Sequence, residues 1–186
     1  MTDFGSFQLT SVAKLPNVTV AFPGEHWSDG RAASQIVPGQ LVVPTSSGGV
    51  RYWTAASSGA LDARACIALR PVSVPDINPG SEYNPQLTPN DIMNLPIAAG
   101  AYVHAYRSGA FHLTLIAADS TYTPGDLVGY SPTATPGDAN KPQTSGAWIK
   151  VNANPTYAFA EVVDWRPLAS NNQLGILTVH SLRVQL

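Results

Sequence analysis

The sequence is short of charged residues and has only one cysteine. Charged residues make up 12% of the 186 positions, about half of the roughly 25% that is usual for soluble domains. Because charge normally keeps a solitary protein dispersed, a surface of neutral polar residues indicates that much of it lies against a partner. The alternative is a small β domain that simply uses neutral polar residues. Cys66 can form no internal disulfide and is predicted to be a small buried side chain.

Positive charge is neither abundant nor clustered. The ten lysine and arginine residues are scattered, and the net charge is −2. Binding to a phosphate backbone needs clustered cations, so we expect no nucleic-acid partner. No apolar run approaches the roughly 20 residues of a membrane-spanning helix, and the first residues do not resemble a signal peptide. We therefore expect no membrane partner and synthesis in a cytoplasm.

The sequence patterns of enzymes and cofactor sites are also missing. There is no nucleophile elbow, P-loop, dinucleotide fingerprint or zinc-ligand spacing. The densest ionisable cluster is residues 25–29 (Glu-His-Trp-Ser-Asp) between two glycines, which we interpret as a polar loop tip. His104 and His112 are predicted on one outward face, as interface or solvent-facing histidines rather than metal ligands. We expect no enzyme activity, no metal and no cofactor.

Glycine and proline mark out the turns of this chain. They number 15 and 16 and recur about every ten residues, which is the spacing of turns between short strands. One short helix is predicted over residues 88–95, where Thr88 can cap it and Pro89 fits its first position. The sequence therefore predicts an all-β fold: a β-barrel or sandwich of short strands with long polar loops and at most one short helix.

A β-hairpin is predicted where residues 100–107 meet residues 110–116 across Ser108-Gly109, because two residues with glycine between alternating runs favour a tight turn. Strand side chains alternate between two faces. The core-facing set is Ala101, Val103, Ala105, Phe111, Leu113 and Leu115, and the outward set is Tyr102, His104, Tyr106, His112 and Thr114. Aromatic residues are enriched at protein interfaces, so the outward face is a candidate contact surface.

One phrase occurs twice in the chain. Residues 36–44 (Ile-Val-Pro-Gly-Gln-Leu-Val-Val-Pro) return as residues 122–130 (Tyr-Thr-Pro-Gly-Asp-Leu-Val-Gly-Tyr). Proline followed by glycine fits the two central positions of a type II turn, which here leads into a strand. The repeat arises either from an internal duplication or from convergent turn chemistry. Because the motif and the segments after it come in the same order both times, the pattern favours duplication.

Each copy of the phrase is followed by a polar stretch and then by an apolar strand. The polar stretches, residues 45–63 and 131–155, contain Trp53 and Trp148 and are predicted to be long exposed loops. The apolar strands, residues 65–71 and 158–167, both end in Arg-Pro. Residues 1–17 are predicted to be a leading arm, and residues 18–186 a β-barrel domain. That domain is either one enlarged barrel or two fused β units, 18–75 and 97–186.

The repeated phrase resembles tailed-bacteriophage head decoration, or cement, proteins, in which a similar turn opens a barrel strand and an apolar strand closes it. The residues that carry the resemblance are 37–42 with 67–69, and 123–128 with 159–162. The family pattern usually has one such unit, so the doubling is a departure. The family implies a small β-rich protein that forms oligomers, often trimers, and binds the outside of the capsid lattice.

On this resemblance we expect a virion structural protein on the capsid exterior. It would bridge subunits of a major capsid protein and self-associate as a homotrimer. The candidate contact residues are Phe4, Phe7, Trp27, Tyr102 and Tyr106. Two alternatives stay open: another virion component, such as a tail or head-fibre subunit, and a carbohydrate-binding β module. The latter would stack sugars on Trp53, Trp148 or Trp165.

Overall fold

The described part of the chain is all-β, as the sequence predicts. A computed structural model describes residues 15–24, 26–58, 62–71, 93–118, 121–139, 141, 146–151 and 156–182. The helix predicted over residues 88–95 lies mostly outside these residues. The strands are β1 (Val18–Pro23), β2 (His26–Ala32), β3 (Leu41–Ser47), β4 (Val50–Ala55), β5 (Cys66–Leu69), β6 (Tyr102–Tyr106), β7 (Gly109–Leu113), β8 (Leu127–Ser131), β9 (Ala147–Lys150), β10 (Ala160–Leu168) and β11 (Asn171–Ser181).

The strands form two units with the same strand order. The first is a closed barrel, β2-β4-β3-β5-β6, and the second is a six-stranded sheet, β1-β7-β11-β10-β8-β9. In the sheet, Ile116, just after β7, pairs in parallel with Trp148 of β9. The corresponding parallel pair in the first barrel joins Ala32 of β2 to Trp53 of β4. The second unit is therefore a ring of order β7-β9-β8-β10-β11, to which β1 is added beside β7.

Cross-strand pairs show that the two units also share their register. The strand after each Pro-Gly turn pairs with the same two neighbours at the same positions. The matching pairs are Leu41–Ile67 with Leu127–Glu161, Val42–Cys66 with Val128–Ala160, and Pro44–Trp53 with Tyr130–Trp148. The repeated phrase in the sequence therefore corresponds to a repeat in the structure.

Both Pro-Gly pairs form the type II turns that the sequence predicts. Gly39 and Gly125 have φ angles of 92° and 91°, in the left-handed region that favours glycine. The hydrogen bond that closes each turn measures 3.1 and 3.0 Å. The fourth turn residue, Gln40 or Asp126, also accepts a hydrogen bond through its side chain from the first residue's N–H, at 2.9 and 2.8 Å. This second bond explains why an acceptor side chain comes after each glycine.

We expect Gly125→Ala to lower the free energy of unfolding by about 1–3 kcal/mol, the usual cost of holding a residue with a side chain at such a φ. An added Cβ at Gly125 meets no atom within 4 Å, so the whole loss would come from backbone strain. Urea denaturation measures it. The control is Gly125→Asn, because asparagine tolerates positive φ better and should lose less. Equal stability of all three proteins would contradict the turn geometry.

The predicted hairpin across Ser108-Gly109 is wrong. β6 lies in the first barrel, between β2 and β5, whereas β7 pairs with β1 and β11 in the second unit. Ser108-Gly109 is where the chain crosses between the units, and the Gly109 N–H donates to Ser181 Oγ at 3.1 Å. Two alternating strands joined by a short glycine-containing link look alike in sequence whether they pair with each other or with distant strands. The first unit thus extends through β6, beyond residue 75.

The side-chain alternation predicted for these two strands is largely confirmed. Of the core-facing set, all but Ala101 are buried, and Tyr102 of the outward set is exposed. Ala101 is exposed because it precedes β6, outside the barrel wall. Thr114 is buried instead of exposed, and its hydroxyl donates to the Pro16 carbonyl oxygen at 2.8 Å. His104 and His112 lie in different sheets, so they do not share the face that the hairpin implied.

Three further local predictions are corrected by the strands. Much of the stretch 45–63 is a hairpin of β3 and β4, turned by Gly48-Gly49 with φ angles of 58° and 77°, and 131–155 contains β9. Residues 26–29 begin β2 rather than a loop tip. Arg166-Pro167 lies inside β10, whereas Arg70-Pro71 comes after β5. The outer part of the β3–β4 hairpin is exposed on both faces, so it carries no apolar alternation that could reveal strands.

Two buried clusters fill the units and join them. The smaller cluster fills the first barrel and includes Trp53, Cys66 and Ala68. The larger fills the second unit and extends to residues on the outer face of the first barrel, among them Ile67. β5 is therefore buried on both faces, which explains its continuous apolar run. Cys66 is a small buried side chain, as predicted, and forms no disulfide.

Candidate interaction surface

Tyr102 is the candidate contact residue that the structure presents to solvent. Its side chain is 53% exposed at the start of β6. The Arg31 guanidinium lies 4.6 Å from the ring centroid and donates a hydrogen bond to the phenol oxygen at 3.3 Å. Arg31 also donates to the Gly100 carbonyl oxygen at 2.8 Å. The ring is thus held in place before any partner arrives, which reduces the entropy lost on binding.

Tyr106 lies on the same side of β6 but faces the junction between the two units. It is half-buried against the larger cluster, and its ring meets Phe111 edge to face, with centroids 6.4 Å apart. The structure therefore does not bring Tyr102 and Tyr106 together in one exposed patch. Phe4 and Phe7 lie outside the described residues. Trp27 belongs to β2, but its side chain lies outside the described part.

The two equivalent tryptophans are core residues, not a sugar-binding surface. Trp53 and Trp148 are both fully buried, so their ring faces cannot stack on a glycan. The Trp148 Nε1–H donates to the Gly39 carbonyl oxygen at 2.8 Å, a bond from the second unit to the first unit's Pro-Gly turn. Trp165, the third tryptophan considered for sugar stacking, is half-buried with its ring centroid 5.1 Å from that of Tyr122.

Trp53 differs from Trp148 in its hydrogen bonding. Its indole lies against Gly30 of β2, where an added Cβ would be 2.5 Å from Nε1. In the described part of the chain, the Trp53 Nε1–H has no acceptor. Trp53 is thus held by packing alone, whereas Trp148 is held by packing and by a hydrogen bond.

The two Pro-Gly turns have opposite exposure. Residues 37–40 are buried beneath the second unit and Asn17, whereas residues 123–125 are exposed. The outer part of the β3–β4 hairpin, residues 45–51, is exposed as well, with Val50 at its end 50% exposed. These elements carry mostly neutral residues. Sequence reasoning missed the hairpin as a protruding element, and its only signal was Gly48-Gly49 between short β-compatible runs.

Asp126 at the second turn is a carboxylate held by a nearby cation. Burial by itself would raise the pKa of Asp126, but hydrogen bonds from Lys150 and Thr123 outweigh it, and the pKa is lowered. The Lys150 Nζ lies 2.6 Å from Asp126 Oδ2. Together with the hydrogen bonds from Thr123, this ion pair stabilises the turn.

Lys141 is a buried cation that ties two distant segments together. It is 3% exposed, and its Nζ donates to the Leu15 carbonyl oxygen. The Asn94 Nδ2 donates to the same oxygen at 2.9 Å. Residues 15–17, where the leading segment enters the fold, are therefore held by the second unit and by the connection between β5 and β6 of the first unit.

Stability should rise with pH because of Lys141. Burial lowers the pKa of Lys141 from 10.5 to about 8, although the negative charge of Asp138 opposes this. Between these pH values the unfolded state binds more protons than the folded state, so the free energy of unfolding increases with pH. We expect a gain of up to roughly 3 kcal/mol between pH 7 and pH 10.5, at about 1.4 kcal/mol per pKa unit. Urea denaturation of wild type and Lys141→Met across this range tests it, and parallel pH profiles would contradict it.

Cavities also lie on the described surface. One, of about 500 Å³, lies between the units around Gln40 and Tyr130; burial raises the pKa of Tyr130. The other, of about 230 Å³, lies on the second unit and includes His112. Among the described residues, no three His, Cys, Asp or Glu side chains are grouped to hold a metal ion. Within the same residues, no helix has the length and apolar character needed to cross a membrane.

Comparison with known proteins leaves the chain without a family assignment. No protein-family model matches the sequence, and no curated protein matches it either. Any function must therefore be argued from the arrangement of the two units and their exposed elements.

Proposed function

We propose that the protein is a virion structural protein that decorates a phage head and bridges neighbouring capsid subunits. The observation that carries this proposal is the tandem of two equivalent β units with mostly neutral contact elements on its surface. Those elements are Tyr102 on its arginine support, the outer part of the β3–β4 hairpin and the exposed turn at residues 123–125. The neutral polar and aromatic parts of these elements can be covered without desolvating charge.

The bridging mechanism depends on the connection between the units. Residues from both units share one buried cluster, and the Trp148–Gly39 hydrogen bond crosses between them. A load on one unit is therefore passed to the other through packed side chains rather than through a linker. Self-association as a homotrimer would present each contact element several times, and linked contacts bind more tightly than single ones through effective concentration. The partner in this proposal is a major capsid protein.

Binding to undecorated capsids tests the proposal. Purified protein is incubated with phage capsids that lack decoration, and cryo-electron microscopy should reveal added density on the capsid exterior. Tyr102→Ala should reduce the occupancy severalfold, because it removes the exposed aromatic ring. Tyr157→Ala is the matched control, since Tyr157 is also an exposed tyrosine, at 40%, but lies on the second unit. Absence of added density on these capsids would reject head decoration. Density at a tail or fibre, when whole virions are incubated with the protein in the same way, would favour another virion component.

A further inference from the structure

A small pocket lies on the outer face of the second unit, where β1, β7, β11 and β10 run side by side. Its volume is about 230 Å³, several times the roughly 30 Å³ that one water molecule occupies in the liquid. One part of its wall is apolar and the other is polar. The lining residues are Leu15, Pro16 and Ile176, and then Thr19, His112, Thr114, Thr178 and Arg166.

His112 supplies an oriented polar group in this pocket. Its Nδ1 lies 3.0 Å from Oγ1 of Thr178, the residue paired with it on the adjacent strand β11. This contact fixes the plane of the half-buried imidazole. Within the described residues, its Nε2 has no hydrogen-bond partner, so that atom is available to a ligand.

Arg166 supplies the cation at the pocket. Its Nε–H donates to Asp164 Oδ2 at 3.0 Å, which holds the guanidinium from one side. In the part of the chain that the structure describes, its two terminal NH₂ groups have no protein acceptor. A guanidinium presents paired donors that match the two oxygens of a carboxylate. The neighbouring Asp164 charge repels a doubly charged anion such as phosphate more strongly than a singly charged carboxylate.

We infer that this pocket binds a carboxylate that carries a short aliphatic chain. The carboxylate would pair with Arg166 and accept a hydrogen bond from His112, while the aliphatic part would lie against Leu15 and Ile176. The same chemistry is offered by a free short-chain carboxylic acid and by a glutamate side chain of a partner protein. This inference does not rest on capsid decoration, so either can fail without the other.

Titration of the full-length protein followed by NMR chemical shifts tests the inference. The ligand is butyrate, and its neutral isostere butyramide is the ligand control. Butyrate should shift the resonances of the pocket residues in a saturable way, and butyramide should bind at least about tenfold more weakly, since charge-assisted hydrogen bonds are the strong ones. Absence of saturable shifts with butyrate, or equal affinity for the two ligands, overturns the inference.

A pair of arginine variants localises the binding. Arg166→Gln should weaken butyrate binding by about tenfold or more, because it removes the guanidinium that pairs with the carboxylate. Arg64→Gln is the matched control, since Arg64 is also exposed and also pairs through Nε with an aspartate two residues earlier, Asp62 at 3.1 Å. Arg64→Gln should bind as wild type does. An equal loss in both variants, or a loss in neither, overturns the assignment to this pocket.

The two sources of the carboxylate are separated by a second ligand. N-acetyl-glutamate amide carries its only charge on the side chain, so it represents a glutamate residue of a partner. Tighter binding of this ligand than of butyrate identifies a protein side chain as the source. Tighter binding of butyrate identifies a free acid. Failure of both to bind overturns the inference.

Discussion

Ile67→Ala is expected to lower the free energy of unfolding by about 2–5 kcal/mol, the range for truncating a large buried aliphatic side chain. Ile67 is fully buried, yet it lies on the outer face of the first barrel and belongs to the cluster that fills the second unit. In an isolated barrel this side chain would face solvent. The size of the loss therefore measures how strongly the two units are coupled, and urea denaturation provides it.

The structural repeat supplies a control for Ile67 in the same chain. Glu161 occupies the equivalent position, opposite Leu127 as Ile67 is opposite Leu41, but it is exposed. Glu161→Ala should change the free energy of unfolding by no more than about 0.5 kcal/mol, as is usual for surface substitutions. Similar losses at both positions would show that the outer face of the first barrel is not covered by the second unit.

Trp148→Phe is expected to cost about 1–3 kcal/mol more than Trp53→Phe, because it leaves the buried Gly39 carbonyl oxygen without its hydrogen bond. Both substitutions remove the same volume from fully buried positions, so the contribution of the cavity is similar. The Trp53 Nε1–H has no acceptor among the described residues, so Trp53→Phe breaks no such bond. Denaturant unfolding of the two variants gives the difference.

Urea unfolding followed by tryptophan fluorescence provides a second measurement on this pair of variants, the dependence of the unfolding free energy on urea concentration. If the Trp148 bond holds the units together, Trp148→Phe should also reduce the cooperativity of unfolding, seen as a smaller dependence of free energy on urea concentration. Trp53→Phe should keep the wild-type dependence. If Trp53→Phe were the more destabilising of the two, the buried hydrogen bond would not be what joins the second unit to the turn of the first.

The fold class and the local turns could be predicted from the sequence because they depend on neighbouring residues. Proline and glycine set the backbone angles at Gly39 and Gly125 directly, and both turns formed as predicted. Alternation along β7 correctly predicted the burial of Phe111 and Leu113. The β3–β4 hairpin was not predicted, because strands exposed on both faces lack the alternation on which such predictions depend.

The candidate contact surface was predictable only in part. Tyr102 could be assigned to an outward face from its strand position, and the structure leaves it exposed. Tyr106 has the same position in the pattern, but the second unit partly covers it. The pocket around His112 and Arg166 had no sequence signal, because its residues come from strands that are distant in the chain.

The sequence by itself determined that this chain is built from β-strands, that a Pro-Gly turn leads into a strand twice, and that Cys66 is a small buried side chain. Each of these outcomes depends on the backbone preferences or the chemistry of residues close together in the chain. Only the tertiary structure decided that β6 and β7 belong to different units and that Ile67 is covered while Glu161 is not. Those outcomes depend on which distant strands pair with each other and on which strand faces are covered by another unit. A repeated local pattern has the same sequence signal in both copies, so it cannot tell these outcomes apart.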